Sequence, residues 1–135
     1  MRHYEIIRVK ETGRIEIPLD YAYEVGLLEG AYFLVEIDTD LNEIHLERIA
    51  LPGKKLVEIE LVVLDKPGVL AKISDVLGRN KVNILFNEAE ELEHIGFAAI
   101  VAVVDVSGAN IGIEELEEEL SEIEEVQEVS LKPLY

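Results

Sequence analysis

The residues of this chain whose types and spacing suit chemistry lie together at Asp65-Lys66-Pro67-Gly68-Val69-Leu70. Before them, residues 56–64 (LVEIELVVL) begin by alternating and end as a continuous apolar run, the pattern of a strand buried on both faces at one end. Pro67 stops that strand, since it has no N–H to give to a ladder. Gly68 allows a sharp turn and the close approach of another molecule to the backbone. From Val69 the apolar positions fall at 69, 70, 73, 76 and 77, the stripe of a helix lying on a sheet, and the helix ends near Gly78-Arg79-Asn80. The first turn of such a helix points unpaired N–H groups at the loop, and with the helix dipole these attract a carboxylate or a phosphate. A ligand is expected here. The plainer reading of the same residues makes Gly68 a turn glycine and Asp65 a helix cap.

Composition narrows the chemistry further. There is no Cys, so disulfides, zinc–thiolate sites and thiol nucleophiles are excluded. His3, His45 and His94 have no ligand spacing, and neither a metal nor a cofactor is expected. No nucleophile has a nearby base, no glycine motif cradles a phosphate, and no carboxylates pair in an apolar setting, so the chain reads as non-enzymatic. The longest apolar run, 97–104 (FAAIVAVV), falls far short of the ~20 residues that cross a bilayer. A soluble, cytoplasmic protein with no membrane partner is expected. The net charge of −17 divides into −6 over residues 1–50 and −11 over 51–135, which opposes non-specific attraction to nucleic acid or anionic membrane.

In chain order, residues 4–10 (YEIIRVK) and 14–17 (RIEI) read as strands joined by a turn at 11–13. Pro18 starts a short helix through Val25 that Gly26 ends. Strands follow at 31–37 and 43–49, separated by a polar turn at 38–42. Tyr21, Tyr23, Tyr32 and Phe33 have the spacing of a packed core rather than of a base-stacking platform. So little structure in about 50 residues buries too little surface to stand alone, and this half is expected to fold as a dimer. Residues 51–55 (LPGKK) mark a linker. Beyond it come a strand (56–64), a helix (69–79), strands at 82–87 and 95–106, a helix (112–124) and a strand (126–132). Residues 87–93 read as an exposed connection, and the acidic run 114–125 (EELEEELSEIEE) as the wet side of the second helix.

Two resemblances follow from these residues. The run 8–18 (RVKETGRIEIP), with Val25-Gly26-Leu27, Gly30 and Glu43-Ile44 at their spacing, resembles the AbrB/SpoVT swapped-hairpin family over residues 3–49. The resemblance implies a small β-barrel made by two chains exchanging hairpins. It also implies DNA binding, with Arg8, Lys10 and Arg14 at the basic positions, although the stretch after the proline is Leu19-Asp20-Tyr21-Ala22-Tyr23-Glu24 and carries no base.

Residues 56–135 in β-α-β-β-α-β order, with the turn at 65–70 and Val82-Asn83-Ile84, resemble the ACT domain, an α+β ferredoxin-like fold. The resemblance implies side-by-side pairing of domains and an effector, typically an amino acid, held at the pairing interface. It would place Asp65 on the effector's ammonium group, the N–H groups of Gly68, Val69 and Leu70 on its carboxylate, and Asn83 with Ile84 as contacts from the other subunit. The expectation for the whole chain is a homo-oligomeric regulator. Residues 1–50 dimerise and grip DNA as a transcription regulator, and residues 56–135 bind a small molecule. In the alternative, the chain is a free-standing effector-binding or assembly module that acts on a protein partner without DNA.

Overall fold

In a computed structural model of the chain, residues 1–92 and 96–135 are described. The expected strand start at Ile95, the last residue of the 87–93 connection, and His94 lie outside them. The chain divides into two compact units, Met1–Gly53 and Lys54–Tyr135.

The first unit contains a short helix α1 (Leu19–Val25) and a hairpin of β1 (Tyr32–Asp38) with β2 (Glu43–Ala50). Pro18 caps α1 from outside with extended ψ, and Gly26 closes it at φ 73°. The N–H of Leu27 reaches back to Ala22 O at 2.8 Å and that of Gly26 to Tyr23 O, the paired contacts by which a left-handed residue satisfies the last carbonyls of a helix. In the hairpin, Asp38 Oδ1 accepts the N–H groups of Asp40 and Leu41 at 3.0 Å each, so the polar 38–42 segment turns on its own carboxylate.

The two strands expected at 4–10 and 14–17 do not form ladders. One bridge, Glu11 with Arg14, joins them around Gly13, and the expected barrel is not closed within a single chain. Alternation supplies a strand with faces, but a ladder needs a neighbouring strand, and these arms have none in their own unit. The packing is correspondingly thin. Ala22 and Ala50 are buried, whereas Ile6, Val9, Ile15, Val35, Ile37 and Ile44 are all more than half exposed, save Val35 at 47%.

The second unit has β3 (Leu56–Leu64), α2 (Val69–Arg79), β4 (Asn83–Glu91), β5 (Phe97–Asp105), α3 (Ile113–Ser121) and β6 (Val126–Pro133). Its antiparallel sheet runs β4-β5-β3-β6, the ferredoxin-like order. β4 continues to Glu91, through most of the segment expected to be a connection, because β5 pairs with it as far as Ala98. Along β3 the side chains of Val57, Ile59, Leu61 and Val63 point to the helices, and along β5 those of Ala98, Ile100, Ala102 and Val104 do the same. Val69, Ile73, Val76 and Leu77 of α2 and Leu116 and Leu120 of α3 close the core over them.

This core, and not the first unit, carries the burial. Truncating Leu120, which is fully buried, to alanine is expected to lower the stability of the second unit by about 2–5 kcal/mol in chemical denaturation. The same truncation at the exposed Leu70 should cost less than about 1 kcal/mol.

Candidate functional site

The turn between β3 and α2 is held at its edges and open in the middle. Leu64 donates its N–H to Glu125 O at 2.8 Å, Asp65 to Gly96 O at 2.7 Å, and Lys66 to Leu64 O at 2.9 Å. Val69 makes a long contact to Lys66 O at 3.4 Å, and Lys72 donates to Gly68 O at 3.1 Å. The N–H groups of Gly68, Leu70 and Ala71 are left without a partner among the described residues. They belong to the first turn of a helix, where the dipole adds to their pull on an anion.

Gly68 is the cap residue of α2, at φ 90° and ψ −9°, and no side chain caps the helix. Asp65 therefore does not act as the cap. Its carboxylate and the Lys66 ammonium both stand exposed and form no hydrogen bond or ion pair among the described residues. Val69 turns into the core while Leu70, its neighbour, is 56% exposed at the mouth of the turn. The arrangement offers donors for a carboxylate, with a carboxylate and an ammonium group beside them.

Asn83 and Ile84 are placed elsewhere. Asn83 pairs with Asp105 at the end of β5, whereas the 65–68 turn follows Leu64, which pairs with Phe97 at its beginning. Eight residues of strand, about 27 Å, separate the two levels. One chain does not bring Asn83 to Asp65.

Two residues that sequence reasoning passed over stand beside the turn. Glu125 closes the acidic run read as a wet helix face, yet it lies buried between α3 and β6 and accepts hydrogen bonds from Lys72 Nζ at 2.5 and 2.9 Å. The hydrogen bond from Lys72 holds the Glu125 carboxyl below its ordinary value; burial opposes this, and the charges of Lys72 and Lys66 add to it. At the other end of α2, Arg79 Nη2 reaches Glu119 Oε1 at 2.9 Å, and Asn80 Nδ2 reaches Glu119 Oε2 at 3.2 Å and Val76 O at 2.8 Å. The only sequence signal for Lys72 was its place four residues after Gly68, on the same helix face.

Arg8, Lys10 and Arg14 line a groove of about 870 Å³ between the two arms of the first unit, together with Ile6, Ile7 and Ile15. Glu5, Glu11 and Glu16 line it too, and Arg14 pairs with Glu11 at 3.3 Å. Three carboxylates thus balance three cations. Among the described residues no group of three or more His, Asp or Glu side chains is placed to hold a metal, and no helix is long and apolar enough to cross a membrane.

Residues 57–125, just over half of the chain, match the model of the ACT domain, and the chain belongs to that family. Domains of this family bind small-molecule effectors such as amino acids and often dimerise. The fold is shared with a formyltetrahydrofolate deformylase from Pseudomonas syringae pathovar tomato, at 14% identity and a TM-score of 0.52, covering 60% of this chain and 28% of that one. It is shared also with the C-terminal domain of the MgtC protein from Mycobacterium tuberculosis, at 16% identity and a TM-score of 0.50, covering 60% and 88%. The ACT domain from GTP pyrophosphokinase of Chlorobium tepidum aligns at 18% identity and a TM-score of 0.47, covering 58% and 99%. Among curated proteins none matches the chain as a relative. The family match leaves residues 1–56 outside it, so the swapped-hairpin resemblance rests on those residues alone.

A depressed carboxyl in the folded state contributes stability that is full above its ordinary range and is lost as the pH falls through the lowered value. In a carboxyl-detected NMR titration Glu125 should therefore titrate below ordinary glutamates. In Lys72→Met its midpoint should rise to the ordinary value or above, because the burial remains when the donor is gone.

Proposed function

We infer that the chain is a regulatory protein that acts by binding rather than catalysis, and that its effector is an amino acid held at the 65–70 turn. The observation that carries this is the set of N–H groups at Gly68, Leu70 and Ala71, without a partner among the described residues, beside the exposed side chains of Asp65 and Lys66. An α-carboxylate suits the N–H groups and Lys66; an α-ammonium group suits Asp65. A phosphate would gain from the same donors but would meet the Asp65 carboxylate.

The second wall of this site comes from another copy of the chain. β4 is an edge strand with Ile84 and Leu85 exposed on it and a bulge between Ile84 and Phe86. Two β4 edges aligned antiparallel about a two-fold axis would bring the Asn83 and Ile84 of one chain to the level of the other chain's 65–68 turn. The first unit supports the same assembly, since its arms lack strand partners and its apolar side chains lack a core; exchange of hairpins between two chains would supply both. Effector bound between the paired second units favours one arrangement of the two chains, and the 51–55 linker carries that preference to the first units.

For the output, the sequence points to DNA through Arg8, Lys10 and Arg14. The charge balance of their groove favours the second reading, in which the first unit joins subunits and the protein acts on a protein partner.

Thermal unfolding against single amino acids, nucleobases and nucleotides tests this. A ligand at about 100 times its dissociation constant adds about 2.7 kcal/mol to native stability. One amino acid should raise the melting temperature of the wild type and leave Asp65→Ala and Gly68→Ala unmoved. Stabilisation that survives in both variants, or none from any amino acid, counts against the turn. DNA retention at low salt that Arg14→Ala abolishes would restore the DNA output.

A further inference from the structure

The two ends of the 65–68 turn are tied to each other by a circuit of contacts that passes through a distant part of the chain. Leu64, the last residue of β3, donates its N–H to the carbonyl of Glu125. The carboxylate of the same Glu125 accepts both hydrogen bonds from Lys72 Nζ. Lys72 then donates its own N–H to Gly68 O. The circuit Leu64, Glu125, Lys72, Gly68 closes around Asp65, Lys66 and Pro67.

A bulge in β6 makes this circuit reachable. Val62 pairs with Glu128, and an undisturbed ladder would set Leu64 opposite Val126. The register instead shifts between Val62 and Val63, so that Val63 meets Val126, and Glu125 comes level with Leu64. The extra residue re-aims the strand end next to the turn, as bulges do. The pair it creates has a closed side and an open side: the Glu125 side chain is 11% exposed and that of Lys72 55%. A helical side chain leans toward the N-terminus of its helix, so Lys72, in the second turn of α2, is placed to serve the first. The far end of α2 is pinned separately by Arg79 and Asn80 on Glu119.

We propose that Glu125, acting through Lys72, is the positioning residue of the effector turn. It fixes the distance between the end of β3 and the first turn of α2. The N–H groups of Gly68, Leu70 and Ala71 and the side chains of Asp65 and Lys66 are thereby held as one set before any ligand arrives. A site ordered in advance loses less freedom on binding, so affinity depends on a residue that touches no ligand. The proposal rests on the turn being the effector site, but the brace itself can be measured without an effector.

Amide hydrogen exchange of the full chain, free of ligand, reads the brace in the wild type, Glu125→Gln, Lys72→Met and Lys72→Arg. The amides of Leu64 and Lys72 should lose protection by about tenfold or more in Glu125→Gln and Lys72→Met, and keep it in Lys72→Arg, whose fork can still hold the carboxylate. The amide of Leu116, bonded to Gly112 O at the other end of the unit, is the control and should not change. Wild-type exchange at Leu64 and Lys72 in both loss variants overturns the proposal. So does an equal loss at Leu116, which would make the pair a general stabiliser. Lys72 is exposed enough that its variants fold even where Glu125→Gln does not.

Calorimetric titration with the amino acid that stabilises the wild type should show a similar loss of affinity in both loss variants and recovery in Lys72→Arg; unchanged affinity overturns the positioning role. If exchange responds as expected but the wild type binds no amino acid, the brace stands and the effector assignment alone fails.

Discussion

β3 is gripped along both edges, by β5 from Leu56 to Leu64 and by β6 from Val57 to Val63, and the rest of the second unit takes its position from that strand. Two ladders leave the strand no freedom to slip, because a shift of one residue would turn Val57, Ile59, Leu61 and Val63 away from the helices. Since the strand cannot slip, the point at which Pro67 and Gly68 break it is fixed in space as well. The start of α2 inherits that point, and Val69, Ile73, Val76 and Leu77 then lock the helix over the sheet. The exposed N–H groups of the turn are a by-product of this order of events: a strand that must end, followed at once by a helix that has no side-chain cap.

The first unit is built on a different balance. Its helix and hairpin are locally well specified, by the Gly26 closure and the Asp38 turn, but they enclose almost nothing. The apolar faces of β1 and β2, with Val35 and Ile37 on one strand and Ile44 and Leu46 on the other, stand open to solvent. Local order without burial is unstable in water, since hydrophobic burial is the dominant favourable contribution to folding and these residues contribute little of it. Both units bear on the proposed pairing of chains: the first leaves apolar side chains uncovered, and in the second Asn83 lies at the end of the sheet far from its own chain's turn.

Much of the second unit was legible in the sequence because its signals are periodic and local. The 2-residue alternation of β3, the helical stripe of α2 and the Pro67-Gly68 break each specify their own structure. The end of β4 was missed because Asn87 to Glu91 carry little apolar content, and their pairing is dictated by β5 rather than by themselves. The arms at 4–10 and 14–17 were read as strands on good alternation, but alternation cannot supply a neighbour. Glu125 was misread for a related reason. In a run of eight glutamates among twelve residues, nothing in the sequence distinguishes the one that a bulge in β6 turns inward toward Lys72. Long-range register is invisible to periodicity, and the brace on the turn is a product of register.

On the function proposed for this chain, the turn after β3 meets the effector, with the start of β4 from a second chain as the opposite wall. Backbone amide mapping by NMR of the full chain, titrated with each amino acid in turn, tests it most directly. One amino acid should shift the amides of Gly68, Leu70 and Ala71 together with those of Asn83 and Ile84, in a protein that sediments as a dimer or larger. Shifts confined to residues away from both segments, or shifts at the turn with Asn83 and Ile84 unmoved in a monomer, would contradict it.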